Sequence, residues 1–220
     1  MTIAETTKSI IGAVPTHVQV VAVSKTKPAQ AIIEAYNAGQ RIFGENKVQE
    51  LVQKHALLPP DIAWHFIGHL QTNKVKYIAP FISLIHSIDS LKLLTEVNRE
   101  ALKNNRLIEC LLEFHIATEE TKYGLDYQEA IAILESDVYK QLGNIRITGV
   151  MGMSSFSEDY AMVRNEFKTL HSHFMSLKNQ YFNQIDTFRH ISMGMSGDYQ
   201  IAIEEGSTLI RLGTIIFGER

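Results

Sequence analysis

Apolar residues in this chain fall in short runs separated by longer amphipathic stretches. Runs rich in Val, Ile, Leu and Phe occupy residues 18–24, 41–44, 64–67, 84–87, 110–116, 146–151, 187–192 and 209–212. Their brevity and β-branched content suit strands buried on both faces. Between them the spacing becomes helical. Residues 29–38 put Ile32, Ile33 and Tyr36 on one face and stop at Gly39. Residues 90–104 group Leu91, Leu94, Val97 and Leu102, with Asp89 or Ser90 as N-cap. Helical patterns also cover 46–55, 73–78, 127–136, 157–177 and 199–205, and a helical segment is expected over about 1–13. Strand and helix thus alternate through eight rounds, which predicts an α/β fold of the (β/α)₈ TIM-barrel type, one domain over residues 1–220. The rival, a doubly wound open sheet, lacks a G-x-G-x-x-G after the first strand.

Composition narrows the function classes. Hydrophobic residues make up 45%, enough for a full core, while charged residues make up 20% with net charge −3, so no broad basic surface invites nucleic acid. Cys110 is the only cysteine and lies in an apolar run, so it reads as a core residue, compatible with a reducing compartment. No apolar leader core and no membrane-length window occur, so the expected location is the cytoplasm. No long exposed apolar stripe is evident, which favours a monomer.

In a barrel the carboxyl ends of the strands build the active face. Lys25 follows the first run, in Ala22-Val23-Ser24-Lys25-Thr26-Lys27-Pro28. It is either a solvated charge or an amine whose apolar neighbours favour the neutral form, which is the form that attacks an aldehyde. Glu45 and Asn46 follow the second run; Glu45 could act as a base or simply pair with a nearby lysine. His65 and His69 are four apart, a ligand spacing only on a helix, and the segment reads as a strand, so no metal is expected. After the seventh run, Gly194, Ser196 and Gly197 precede a helix start, and after the eighth come Gly213 and Thr214. These glycines either make tight turns or let backbone N–H groups approach a phosphate, at the place where barrels often hold one. A lysine facing a phosphate cradle suggests pyridoxal 5′-phosphate, which carries an aldehyde at one end and a phosphate at the other. Arg211, at the end of the eighth run, could sit beside the ring nitrogen and leave it unprotonated, which weakens the ring as an electron sink.

Together the segments Ala22 to Pro28, Gly39 to Asn46, Trp64 to Gly68, Leu70 to Lys74, His86 to Asp89, Ser192 to Ser196 and Arg211 to Gly218 resemble the pyridoxal phosphate homeostasis proteins. These are single-domain barrels similar to the N-terminal barrel domain of alanine racemase, and the likeness runs from Val20 to Arg220. The resemblance implies a covalent aldimine at Lys25 and phosphate ligands at Ser192, Ser196, Gly213 and Thr214. It also implies Arg211 at the ring nitrogen and a pocket lined by Asn46, Asn73 and Met193, Gly194 and Met195. Lys122 matches a family lysine near the fifth strand. Lys47, His69 and the stretch Leu112 to Ile116 depart from the family pattern at the pocket rim. The implied function is non-catalytic: holding the cofactor and serving pyridoxal phosphate (vitamin B6) and amino-acid homeostasis, with PLP-dependent apo-enzymes as recipients. The alternative is an amino-acid racemase of the alanine racemase type, which needs acid–base groups on both faces of the cofactor. In alanine racemase one of these comes from a second, all-β domain, for which this chain leaves no expected room.

Overall fold

The computed structural model describes residues 1–118 and 123–219. All eight apolar runs are strands: β1 (Gln19–Val23), β2 (Ile42–Glu45), β3 (Ala63–Phe66), β4 (Leu84–Ile88), β5 (Ile108–Phe114), β6 (Ile145–Gly152), β7 (His190–Ser192) and β8 (Leu209–Leu212). They pair in parallel in chain order, and β8 closes the ring on β1 with Val21 opposite Arg211. The helices are α1 (Ile3–Ala13), α2 (Ala29–Asn37), α3 (Val48–Leu57), α4 (Val75–Ile78), α5 (Leu91–Lys103), α6 (Tyr127–Glu135), α7 (Tyr160–Tyr181), α8 (Tyr199–Glu204) and α9 (Thr214–Phe217). Short 3₁₀ turns occupy Thr72–Lys74 and Tyr139–Gln141. The expected TIM barrel is the observed fold, and no described helix is long and apolar enough to cross a membrane.

Two apolar layers follow from the two-residue period of the strands. Val20, Ala22, Phe43, Trp64, Phe66 and Ile85 join the large cluster between strands and helices. The alternate residues Val21, Leu84, Leu111, Met151 and Leu209 form a separate cluster, which is the interior of the barrel. Cys110 is fully buried in the outer cluster, and burial pushes its thiol up, out of reach of ionisation near neutral pH. Gly149 in β6 is required by a close approach: a Cβ there would stand 1.8 Å from the His190 carbonyl oxygen on β7.

Element ends differ from the sequence expectation for local reasons. The helix expected from 157 starts at Tyr160 because Asp159 caps it, its Oδ1 accepting from the Ala161 and Met162 N–H groups at 3.0 and 3.1 Å. The strand expected from 187 starts at His190, since a turn closed by Phe188 N–H to the Ile185 carbonyl takes the preceding residues. α3 starts at Val48 because Lys47 keeps extended backbone angles. α1 begins with a Thr2–Glu5 capping box and packs against α2 and α9, which carries the N-terminal segment onto the barrel wall.

Candidate functional site

The strand pairing gathers the expected residues at one mouth. Lys25 follows β1, and β1 lies between β2 and β8. Val23 backs Gly213, whose added Cβ would lie 3.4 Å from the Val23 carbonyl oxygen. Lys25 therefore stands between the Gly213–Thr214 turn on one side and the Glu45–Asn46 turn on the other. It is half-buried, as is Asn46. β7 adjoins β8, so the loop from Met193 to Asp198 borders Gly213, and the Arg211 N–H donates to the Gly194 carbonyl at 2.9 Å.

That loop is shaped by its own bonds. The Met195 N–H donates to Asp198 Oδ1 at 2.6 Å, and Ser154 Oγ donates to Asp198 Oδ2 at 2.6 Å, tying the β6 and β7 loops together. Gly194 has φ 92 and packs on α8, where a Cβ would meet Ala202 at 2.5 Å. Ser196 and Gly197 stand at the rim, and nothing lies within 4 Å of where a Gly197 Cβ would be. Met193 is buried in the outer cluster, whereas Asn73 is exposed on the 3₁₀ turn after β3. Lys122 lies outside the described residues.

Beside its apolar cluster, the barrel interior beneath the mouth also carries buried polar side chains. Arg211 is 4% exposed. Its Nη1 donates to the Ser192 carbonyl at 2.9 Å and to Ser192 Oγ at 2.7 Å, and its Nη2 donates to the Gly152 carbonyl at 3.1 Å. A guanidinium has five N–H groups, so the Nε–H and one N–H on Nη2 keep no partner among the described residues. Burial pulls the Arg211 pKa down to about 10, against the opposing fields of Asp198 and Glu113, so it is charged at neutral pH. Ser192 Oγ accepts from Arg211, and we assign its own hydrogen to His86 Nδ1, 2.9 Å away. The His86 proton then sits on Nε2 and is donated to His65 Nδ1 at 3.0 Å. Burial, then the field of His190, lowers His65 to about 3. Burial, His65 and Arg211 hold His86 well below its ordinary range. Both imidazoles are neutral links.

Glu113, at the interior end of β5, is 3% exposed, and its Oε2 has no partner among the described residues. Burial and Asp89 raise its carboxyl to about 7, with Arg211 pulling the other way. Glu45 is fully buried; it accepts from Lys54 Nζ at 2.7 Å and Ser24 Oγ at 2.6 Å, so it pairs with a lysine rather than facing the mouth as a base. Reading every second residue inward from the first interior position of each strand would have singled out His65, His86 and Glu113. Lys54 gives no such signal: Glu50 precedes it by four residues on α3, but Ser24 and Glu45 come from the turn after β1 and the end of β2.

The donor set fits a ligand with an aldehyde, an aromatic nitrogen and a phosphate. An amine stands between two rim turns, a buried guanidinium keeps two donors in hand, and Gly197 leaves open space beside Ser196. Helix α9 also begins at Thr214, where the first N–H groups of a helix have no intrahelical acceptor.

Comparison with known proteins bears on the family and the fold. Residues 2–220 match the family described as alanine racemase, N-terminal domain. A pyridoxal phosphate homeostasis protein of Aquifex aeolicus is 41% identical over 198 residues, covering 90% of this chain and 85% of the relative. PipY of Synechococcus elongatus PCC7942, in a structure with PLP bound, superposes with a TM-score of 0.88 at 37% identity, covering 98% of this chain and all of that one. The alanine racemase of Bacillus anthracis superposes with a TM-score of 0.72 at 15% identity; the match covers this whole chain and 56% of the racemase, and the likeness is one of fold.

Proposed function

Because the chain belongs to the pyridoxal phosphate homeostasis protein family, we propose that residues 1–220 form one pyridoxal 5′-phosphate-binding barrel domain. It holds the cofactor through a Schiff base at Lys25 and acts in intracellular vitamin B6 and amino-acid homeostasis without catalysis. The observation that carries this reading is the placement of Lys25 beside the β8 turn, on a barrel whose relative PipY has a structure with PLP bound. When bound, the cofactor supplies an aldehyde that an amine traps reversibly. Ser196, Gly213 and Thr214 take the phosphate, and Asn46 lines the side toward β2. Asn73, Met193 and Gly194 shape the rim and the loop behind it. Arg211 donates toward the ring nitrogen, and Ser192 acts from below by orienting that guanidinium. A permanently charged donor leaves the ring nitrogen unprotonated, and a ring so held is a weak electron sink. That favours storage and delivery to PLP-dependent apo-enzymes by a cytoplasmic monomer. An amino-acid racemase is the alternative outcome of the test.

Protein loaded with pyridoxal phosphate is reduced with borohydride and mapped. The expected result is one modified peptide, at Lys25, and no label in folded Lys25→Ala. A label elsewhere, or none, sinks the assignment. Sustained conversion of L-alanine to D-alanine would replace the holding role with the racemase.

A further inference from the structure

The turn that presents Lys25 is held from the neighbouring helix. Residues 24–27 form a tight turn closed by the Lys27 N–H donating to the Ser24 carbonyl at 3.0 Å. Its third residue, Thr26, has φ 66, a left-handed conformation in which a β-branched residue is strained. Such strain persists where the surroundings over-determine it, and here they do. The Thr26 N–H donates to Glu50 Oε1 at 2.6 Å, and the Ser24 carbonyl accepts from Lys54 Nζ at 2.8 Å. These groups belong to the two peptide units on either side of the Lys25 Cα, so both planes are pinned by α3.

The pins brace each other. Lys54 Nζ also donates to Glu45 Oε1 and to Glu50 Oε1, each at 2.7 Å. Its three N–H groups thus meet three acceptors, and its side chain is only 8% exposed. Lys54 is therefore committed to the turn and is not a second reactive amine. A buried ion cluster pays a desolvation cost that packing alone would avoid, yet this one stands directly behind the turn of Lys25. We infer that Lys54 and Glu50 are positioning residues for Lys25, fixing its backbone so that the amine meets a bound aldehyde in one orientation. This rests on the Lys25 reading above.

The test uses the full chain and pyridoxal phosphate, with the growth of imine absorbance followed by stopped flow. Glu50→Ala should form the imine about 10- to 100-fold more slowly, the loss that a misplaced reacting group brings. Glu50→Gln, which keeps an acceptor for Thr26, should recover most of the rate. Affinity for pyridoxine 5′-phosphate, which has no aldehyde, should be unchanged, and amide exchange at Thr26 should quicken in Glu50→Ala but not in Glu50→Gln. Lys54→Met, which frees the Ser24 carbonyl, should slow the imine as Glu50→Ala does; if it fails to fold, the half-buried Glu50 decides. A Glu50→Ala rate within twofold of wild type overturns the inference. If wild-type protein takes no label at Lys25, the Lys25 reading falls. Thr26 exchange then tests the clamp alone, and equal exchange in wild type and Glu50→Ala overturns it.

Discussion

Glu113 makes the stability of the barrel depend on pH in a calculable way. Its carboxyl titrates at about 7 in the fold against an ordinary 4.5. The fold prefers the protonated form, so this contribution is whole below 4.5 and is lost as pH rises through 7. At 1.36 kcal/mol per unit of pKa difference, the loss is roughly 3 kcal/mol by pH 8. Glu113→Gln keeps the size and the neutral charge at every pH. Its advantage over wild type should be near zero at pH 4.5 and roughly 3 kcal/mol at pH 8, which for a chain of this length is a rise in melting temperature of about 6–12 °C. The histidines shifted by burial, His65 at about 3 and His190 at about 4, act oppositely: acid protonates them in the unfolded chain first, so stability falls below pH 6.5. They act alike in both proteins and cancel in the difference. Calorimetry of cofactor-free protein at the two pH values reads the effect. An equal difference at both, or a variant less stable at pH 8, would refute an unpaired interior carboxyl.

Two further perturbations probe the frame around the mouth. Lys27 Nζ donates to the carbonyls of Phe217, Gly218 and Glu219 at 3.0, 3.1 and 3.0 Å, holding the end of α9. Lys27→Met should cost about 1 kcal/mol, read as a melting temperature lower by about 3 °C with faster amide exchange at Gly218; an unchanged melt would discard the tether. Gly149→Ala forces a methyl group into the His190 carbonyl and should part β6 from β7, at about 3 kcal/mol or more. A urea midpoint matching wild type would show that the two strands can separate freely.

The sequence made the outer layer of this fold legible, because eight buried strands and their amphipathic helices write two distinct periods. It also marked the mouth, since Lys25, Gly194 and Gly213 stand directly after strands. What it hid lies where one residue serves several segments. Lys54 reads as an ordinary helix-surface lysine, yet its ammonium is buried among Ser24, Glu45 and Glu50. Ser192 reads as one more hydroxyl of the phosphate loop, but it is fully buried and turned to Arg211 and His86. Neither placement follows from spacing alone: barrel closure brings β4, β7 and β8 around Ser192, and the pairing of β1 with β2 brings Ser24 and Glu45 together behind Lys54.

That closure also explains why the interior polar residues form a chain with a direction. Arg211 can only donate, so Ser192 accepts from it; with the Ser192 hydrogen directed to His86 Nδ1, the His86 proton sits on Nε2 and His65 accepts in turn. A proton added to either imidazole would turn an acceptor into a donor, breaking the chain while bringing a second charge toward the guanidinium. Burial first, and then the fields of neighbouring His190, His65 and Arg211, depress both histidines, which keeps this hydrogen-bond order intact at neutral pH. Substituting His86 should accordingly loosen Arg211 before it disturbs the apolar wall, because the wall packs on the other face of each strand.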